Sequence, residues 1–140
     1  MNGNSFVDTN ILVYARDSTE PGKQRIAEEL LRRLWEERSG RISCQVCSEY
    51  YVTVTQKLDP GLSREEAWED VRDLSAWRPS AIDMTTLYRA REIQDEYGLS
   101  WWDSQIIASA YLLECERIYS EDFGHGRKYR GIEVIDPFAG

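Results

Sequence analysis

Apolar residues along this chain follow two alternating rhythms. Ser5-Phe6-Val7 is a short apolar run of the strand type. From Lys23 to Arg38, by contrast, Ile26, Ala27, Leu30, Leu31, Leu34 and Trp35 recur at i, i+3, i+4 spacing, which predicts an amphipathic helix over 23–38 stopped by Gly40. Arg41-Ile42-Ser43 reads as a second short strand. Segment 44–57 (CQVCSEYYVTVTQK) carries both signals: Val52 to Thr55 alternates as a strand does, while Val46, Tyr50 and Val54 with Cys47 and Tyr51 form a helical stripe. The segment is long for a strand and contains no turn signal, so a helix is expected.

Further along, Ser63 and Glu66 have the spacing of a capping box and open a helix through about Trp77, which Pro79 breaks. Ala81-Ile82-Asp83 is the next expected strand. Thr85 or Thr86 is placed to cap a helix with Leu87, Ala90, Ile93 and Tyr97 on its inner side and Gly98 as its stop. Ser100-x-x-Asp103 opens another helix, carrying Ile106, Ile107, Ala110 and Leu113. Arg117-Ile118-Tyr119-Ser120 and Ile132-Glu133-Val134-Ile135 complete the strands. Strands separated by helices require crossover connections, so the expected class is α/β with a mostly parallel sheet covered on both faces. No repeat, low-complexity tract or long linker interrupts the pattern, and residues 1–140 read as one domain.

Composition narrows the setting. A chain of 140 residues with 41% hydrophobic content suits one core. No apolar run approaches the roughly 18 residues that a membrane span requires. The N-terminal MNGNSFVDTN lacks the features of a secretory signal, and three cysteines argue against a disulfide framework. A cytoplasmic protein with no membrane contact is expected. The formal net charge of −8 excludes a broad phosphate-neutralising surface. Contact with a polyanion then needs a bound cation or a local basic patch, for which Arg127, Lys128 and Arg130 are the candidates.

The acidic residues themselves are placed unusually. Asp8 directly follows strand 5–7, and Asp122 lies just past strand 117–120. Glu49 is about two turns into the helix after strand 41–43, and Asp103 is in the first turn of the helix before strand 117–120. Ligands of open parallel sheets bind beyond the carboxyl ends of the strands, so the four carboxylates can converge on one rim. Each also admits a purely structural role: Asp8 as a helix cap, Asp103 in a capping box, Asp122 in a turn, Glu49 facing solvent. If they converge, two carboxylates about 4 Å apart repel by roughly 4 kcal/mol at an effective dielectric near 20, so protons or a cation must accompany them. Hard oxygen donors suit Mg2+ or Mn2+, whereas zinc prefers thiolate or imidazole.

These residues resemble a known family. FVDTNILVY, with its Asp-x-Asn, is similar to the opening motif of PIN-domain ribonucleases. CQVCSEYYVTVTQKL, LSWWDSQIIASA and YSEDFGHGRKYRGIEVIDPF match the family's later blocks, in order and over essentially the whole chain. The likeness is closest to the VapC-like toxins of toxin–antitoxin pairs. It implies a Rossmann-like α/β/α sandwich and a homodimeric, Mg2+- or Mn2+-dependent endoribonuclease that hydrolyses RNA through a metal-activated water. It also implies a cognate antitoxin that blocks the acidic site. By motif position Asp8, Glu49, Asp103 and Asp122 are the catalytic metal ligands, with Thr9, Asn10 and Ser120 as polar neighbours that orient them. The fourth block reads SED, so Glu121 shares or replaces Asp122 as an open alternative.

Two other classes compete. Cys44-Gln45-Val46-Cys47 is a C-x-x-C at the opening of a helix, the position of a thiol oxidoreductase pair, although the aromatic-Gly-Pro surroundings of that class are missing. With His125 the same cysteines make a zinc set that lacks a fourth ligand. A catalytically silent PIN-like interaction module is the remaining alternative, drawn from Trp101, Trp102, Trp68 and Trp77. Tryptophan is enriched at interfaces, but the helical spacing here favours core positions.

Overall fold

The apolar triplets predicted as strands form the middle of the sheet, with Phe6, Val7, Ile118 and Val134 fully buried. In the computed structural model, which describes residues 3–139, the order begins β1 (Ser5–Val7), α1 (Thr9–Tyr14), α2 (Pro21–Glu37), β2 (Gly40–Arg41) and α3 (Cys44–Val52). It continues α4 (Arg64–Leu74), α5 (Met84–Tyr97), α6 (Trp101–Leu112), β3 (Arg117–Tyr119), β4 (Lys128–Tyr129) and β5 (Ile132–Ile135).

The sheet order is β2-β1-β3-β5-β4. β1 runs parallel to β2 and β3, and β3 parallel to β5; only β4 is antiparallel. From β1 the chain moves outward to β2, then returns to place β3 on the other side of β1. The direction of winding therefore reverses between β1 and β3, and a crevice opens outside their carboxyl ends. Helices flank the sheet in two packed groups, α1 to α4 against one another and α5 against α6, giving the expected α/β/α arrangement. α6 is buried without a break from Ser104 to Ala110. It is a core helix, which is why its sequence shows little amphipathic contrast.

Several local expectations need correction. Arg38, in the left-handed region at φ 57, ends α2 and returns its N–H to Leu34 and Trp35. Gly40 instead opens β2 beneath Trp77: a Cβ there would lie 2.6 Å from the indole. Gly40→Ala is expected to cost about 1–3 kcal/mol in a urea-denaturation experiment, since the indole must shift to admit the methyl group. Segment 41–43 pairs only through Arg41, with Ser43 making an isolated bridge to Ser80. Ala81-Ile82-Asp83 is not a strand. Asp83 is the N-cap of α5 in a full capping box with Thr86, so neither Thr85 nor Thr86 is the cap. The Ser63–Glu66 capping box and the Gly98 stop at φ 69 are as expected. The helix after Ser63 is α-helical to Leu74 and tightens to a 3-10 turn at Ser75–Trp77.

The ambiguous segment 44–57 is helical, but in two parts. After Val52 it widens into a π turn, Thr53–Lys57, closed by Leu58 N–H donating to Thr53 O at 2.9 Å. The Thr55 hydroxyl donates to Tyr51 O at 2.7 Å, a back-bond of the kind that bends helices. β4 was not expected: it folds Lys128-Tyr129 back on Ile132-Glu133 through a turn with Arg130 at φ 50 and Gly131 at φ 83. Among the described residues no helix is long and apolar enough to cross a membrane.

Candidate metal centre

Asp8 is one residue past β1, and its N–H still donates to Tyr119 O at 3.0 Å, so the β1–β3 ladder runs directly into the site. That bond sets Asp8 beside Ser120. The Ser120 hydroxyl donates to Asp8 Oδ2 at 2.7 Å, and Thr9 N–H donates to Asp8 Oδ1 at 2.8 Å. Asp8 is thus the N-cap of α1, as its structural reading held, and a wall of the crevice at once. It is 7% exposed. Burial pushes its carboxyl up to about 6 from 3.8, Ser120 and Thr9 pull it down, and the charges of Glu49 and Asp122 push it further up.

Asn10 ties the two strand ends together. Its Nδ2 donates toward Asp122 Oδ2 (3.2 Å), Ser120 Oγ (3.3 Å) and Asp8 Oδ2 (3.4 Å). Its Oδ1 accepts the Glu121 backbone N–H at 3.3 Å, which fixes which way the amide faces. Asp122 N–H donates to Ser120 Oγ at 3.0 Å. Glu49, from α3, accepts the Thr9 hydroxyl at 2.7 Å on one oxygen and Gln45 Nε2 at 3.3 Å on the other. Asp103 stands in the first turn of α6, where the Ser100 hydroxyl accepts its backbone N–H at 3.1 Å. Burial raises the Asp103 carboxyl above its ordinary value, with the charges of Asp122 and Glu49 adding to the effect against Ser100.

All four carboxylates line one cavity of about 520 Å³, together with Thr9 and Asn10. Among the described residues none of the four forms an ion pair. Asp17 also reaches this cavity, but its Oδ1 accepts from Thr19 at 2.6 and 3.0 Å. Among the described residues no three histidine, cysteine or acidic side chains close on one point as a ready metal shell. The carboxylates surround an open space instead. The donor set is oxygen throughout, which fits a hard divalent ion that keeps part of its hydration, such as Mg2+ or Mn2+.

Glu121 also lines this cavity, but its carboxylate is engaged by other partners. It accepts the Tyr14 hydroxyl at 2.7 Å and pairs with Lys23 at 3.1 Å, and Lys23 also sits 4.6 Å over the Tyr14 ring. A carboxylate already matched by a cation and a phenol has little left for a metal. The basic cluster is not gathered at the cavity either. Arg130 lies toward the amino end of β5, bonded to Glu96 at 2.9 Å and Glu92 at 3.4 Å. Lys128 pairs in register with Glu133 on that edge, and the Arg127 guanidinium lies 5.0 Å over the Tyr129 ring. Sequence reasoning missed Gln45, Thr53, Tyr14, Lys23 and Lys57. Gln45 was within reach, one helical turn before Glu49; Lys57 was not, because its placement depends on the π turn.

Burial pushes the Cys47 thiol up to about 11, away from the thiolate that redox chemistry needs. His125 Nδ1 accepts the Asp136 N–H at 3.0 Å, so that nitrogen is occupied. The tryptophans divide: Trp77 is buried and Trp101 partly so, while Trp68 and Trp102 are 54% and 63% exposed against the expectation of core positions.

Comparison with known proteins bears on this geometry directly. The family profile described as PIN domain matches residues 5–131. A comparison with curated protein sequences finds no match. Among solved structures, a toxin–antitoxin complex from Klebsiella pneumoniae superposes at TM-score 0.62 and 21% identity, covering 96% of this chain and 98% of that one. FitAcB from Neisseria gonorrhoeae superposes at TM-score 0.66 and 16% identity, with the same coverage. At these identities the likeness carries the fold. The profile match runs from the strand that leads into Asp8 to the hairpin beyond Asp122, and on that span the chain belongs to the PIN-domain family.

Proposed function

We propose that this protein is a divalent-metal-dependent endoribonuclease of the cytoplasm, the toxin of a toxin–antitoxin pair. The observation that carries the reading is the meeting of four carboxylates from four separate elements around one cavity, unmatched by any ion pair among the described residues. Such a cluster raises the free energy of the folded protein unless a cation is drawn to it. A bound Mg2+ or Mn2+ supplies a polarised water and neutralises charge at the phosphate. Asp8, Glu49, Asp103 and Asp122 are the residues that would hold it. Asn10 and Ser120 keep Asp8 and Asp122 in register across two strands, and Thr9 does the same for Glu49. The cation also answers the charge problem of an acidic chain acting on RNA. Family membership and a neighbour of the same fold solved as a toxin–antitoxin complex support the assignment; a protein antitoxin and a homodimer are its expected partners.

The test is cleavage of single-stranded RNA by purified protein with Mg2+ or Mn2+, against an EDTA control. Cleavage that needs the metal is expected. Full activity in EDTA overturns the reading. In the same assay Glu121→Gln is expected to stay within about threefold of the parent, because its Lys23 pair is a surface interaction worth about 1 kcal/mol or less. A loss as large as that of Asp122→Asn would return Glu121 to the ligand set.

A further inference from the structure

A second cavity, of about 580 Å³, adjoins the acidic one. The two share Glu49, Thr53 and Lys57, so they are parts of one depression. The chemistry changes across the boundary: the carboxylates give way to the Trp102 indole, 63% exposed, with Val52, 39% exposed, and Ile82 beside it. Trp102 immediately precedes Asp103 in the first turn of α6, so the indole and the carboxylate are carried on one rigid element.

Lys57 stands between the two halves. In a regular α-helix it would lie about 80° around the axis from Glu49, eight residues at 3.6 per turn. The wider π turn takes smaller angular steps and returns it to the same side, where both line both cavities. Single π turns inside helices are frequent at functional sites. Lys57 is exposed and, among the described residues, in no ion pair despite acidic neighbours. Gln45 joins the floor of this region. Its Nε2 donates to Glu49 Oε2 and to Trp102 O, both at 3.3 Å, while its Oε1 is buried without a partner. Reversing the amide would set its oxygen against two acceptors, so the orientation is fixed. A buried acceptor without a partner is costly, and here it accompanies a clamp that holds Glu49 and the start of α6 together.

We infer that this second cavity is a nucleobase subsite: Trp102 stacks a base of single-stranded RNA next to the phosphate at the acidic centre, and Lys57 binds the phosphate between them. The inference rests on the nuclease reading for its substrate. An exposed indole beside a cation at the edge of an acidic cluster matches the needs of a single strand, which offers a π face and a charge in alternation. It also places the nucleic-acid cation where the basic cluster at 127–130 does not.

Two measurements test it. Binding is followed by the anisotropy of fluorescein-labelled short RNA oligonucleotides, which does not depend on Trp102 as a reporter, and in the parent protein also by quenching of tryptophan fluorescence with the same oligonucleotides and with a nucleoside monophosphate, in Ca2+ so that hydrolysis does not intervene. Cleavage kinetics are followed in Mg2+. Trp102→Ala is expected to weaken oligonucleotide binding about tenfold and to place its loss in KM more than in kcat, with Trp102→Phe recovering most of it. Lys57→Met is expected to weaken oligonucleotide binding and flatten its salt dependence. Cleavage by a Trp102→Ala protein with unchanged KM and unchanged binding overturns the subsite while leaving the nuclease intact. Binding lost in Trp102→Ala, in a protein that cleaves no RNA with any metal, leaves the subsite standing and removes the nuclease. Quenching by an apolar peptide and by no nucleotide makes the cavity a protein contact and ends the proposal.

Discussion

Asp103→Asn is expected to lower Mg2+-dependent RNA cleavage by about 10²- to 10³-fold while leaving the folded state nearly unchanged. Two features separate chemistry from stability at this position. The cap that starts α6 is made by the Ser100 hydroxyl and the Asp103 backbone N–H, which the substitution does not touch. The side chain lines the open cavity and forms no ion pair among the described residues. The small favourable term of an acid at a helix N-terminus, about 0.3–1 kcal/mol, is opposed by the burial and by the Asp122 and Glu49 charges that raise its carboxyl, so its net contribution to the fold is small. Against that, removing one charged donor from a site that stabilises developing phosphate charge costs orders of magnitude in rate. Single-turnover cleavage and a thermal unfolding curve on the same preparation read the two effects independently. A variant that cleaves RNA at the parental rate would remove Asp103 from the site, and with it the four-carboxylate reading.

The contrast with local structure shows which features a sequence carries openly. A carboxylate wedged between Phe6-Val7 and Ile11-Leu12 is conspicuous because both flanks are buried, and the ladder that buries them also delivers Asp8 to the crevice. Asp103 was legible on a helix whose start is marked by the Ser100 cap, and Glu49 by its place on the helix after segment 41–43, although Ser43 proves to be the cap of α3 and not the end of a strand. Where the outcome turned on backbone geometry, the sequence was silent. The π turn that moves Lys57 is accompanied by a hydroxyl back-bond at Thr55, and threonine in a helix does not announce that choice. Asp83 caps α5 where a strand was expected because Ala81-Ile82 is too short an apolar run to decide between strand and loop. The β4 hairpin hid inside a basic cluster whose charges invite a functional reading, while Arg130 is held by Glu92 and Glu96 on a distant helix. Likewise SED offers two acids to the site, and only the Tyr14–Lys23 pair, remote in sequence, distinguishes them.

Asp8→Asn, unlike Asp103→Asn, is expected to change the stability of the metal-free protein, raising it near neutral pH. The folded carboxyl sits at about 6 and the unfolded one at 3.8, so between those values the folded state holds a proton that the unfolded state has lost. Stability of the metal-free protein therefore falls as pH rises from about 4 to 6, and above that the ionised, buried carboxylate leaves a constant penalty of about 3 kcal/mol. An amide removes the charge and keeps the acceptor for Thr9 N–H. Its NH2 can donate to Ser120 Oγ if that hydroxyl turns, although the Asn10 contact is lost. The net gain expected in EDTA at pH 7.5 is about 1–2 kcal/mol, or roughly 4–8 °C in the unfolding midpoint. At pH 4 the gain should vanish, because Asp8 is then neutral in the folded protein as well. Saturating Mn2+ should reverse the ranking: a cation at 100 times its dissociation constant stabilises the parent by about 2.7 kcal/mol, and the variant loses most of that. An Asp8→Asn protein less stable than the parent in EDTA at both pH values would mean that the carboxylate is needed for the cap of α1 and not held in readiness for a cation.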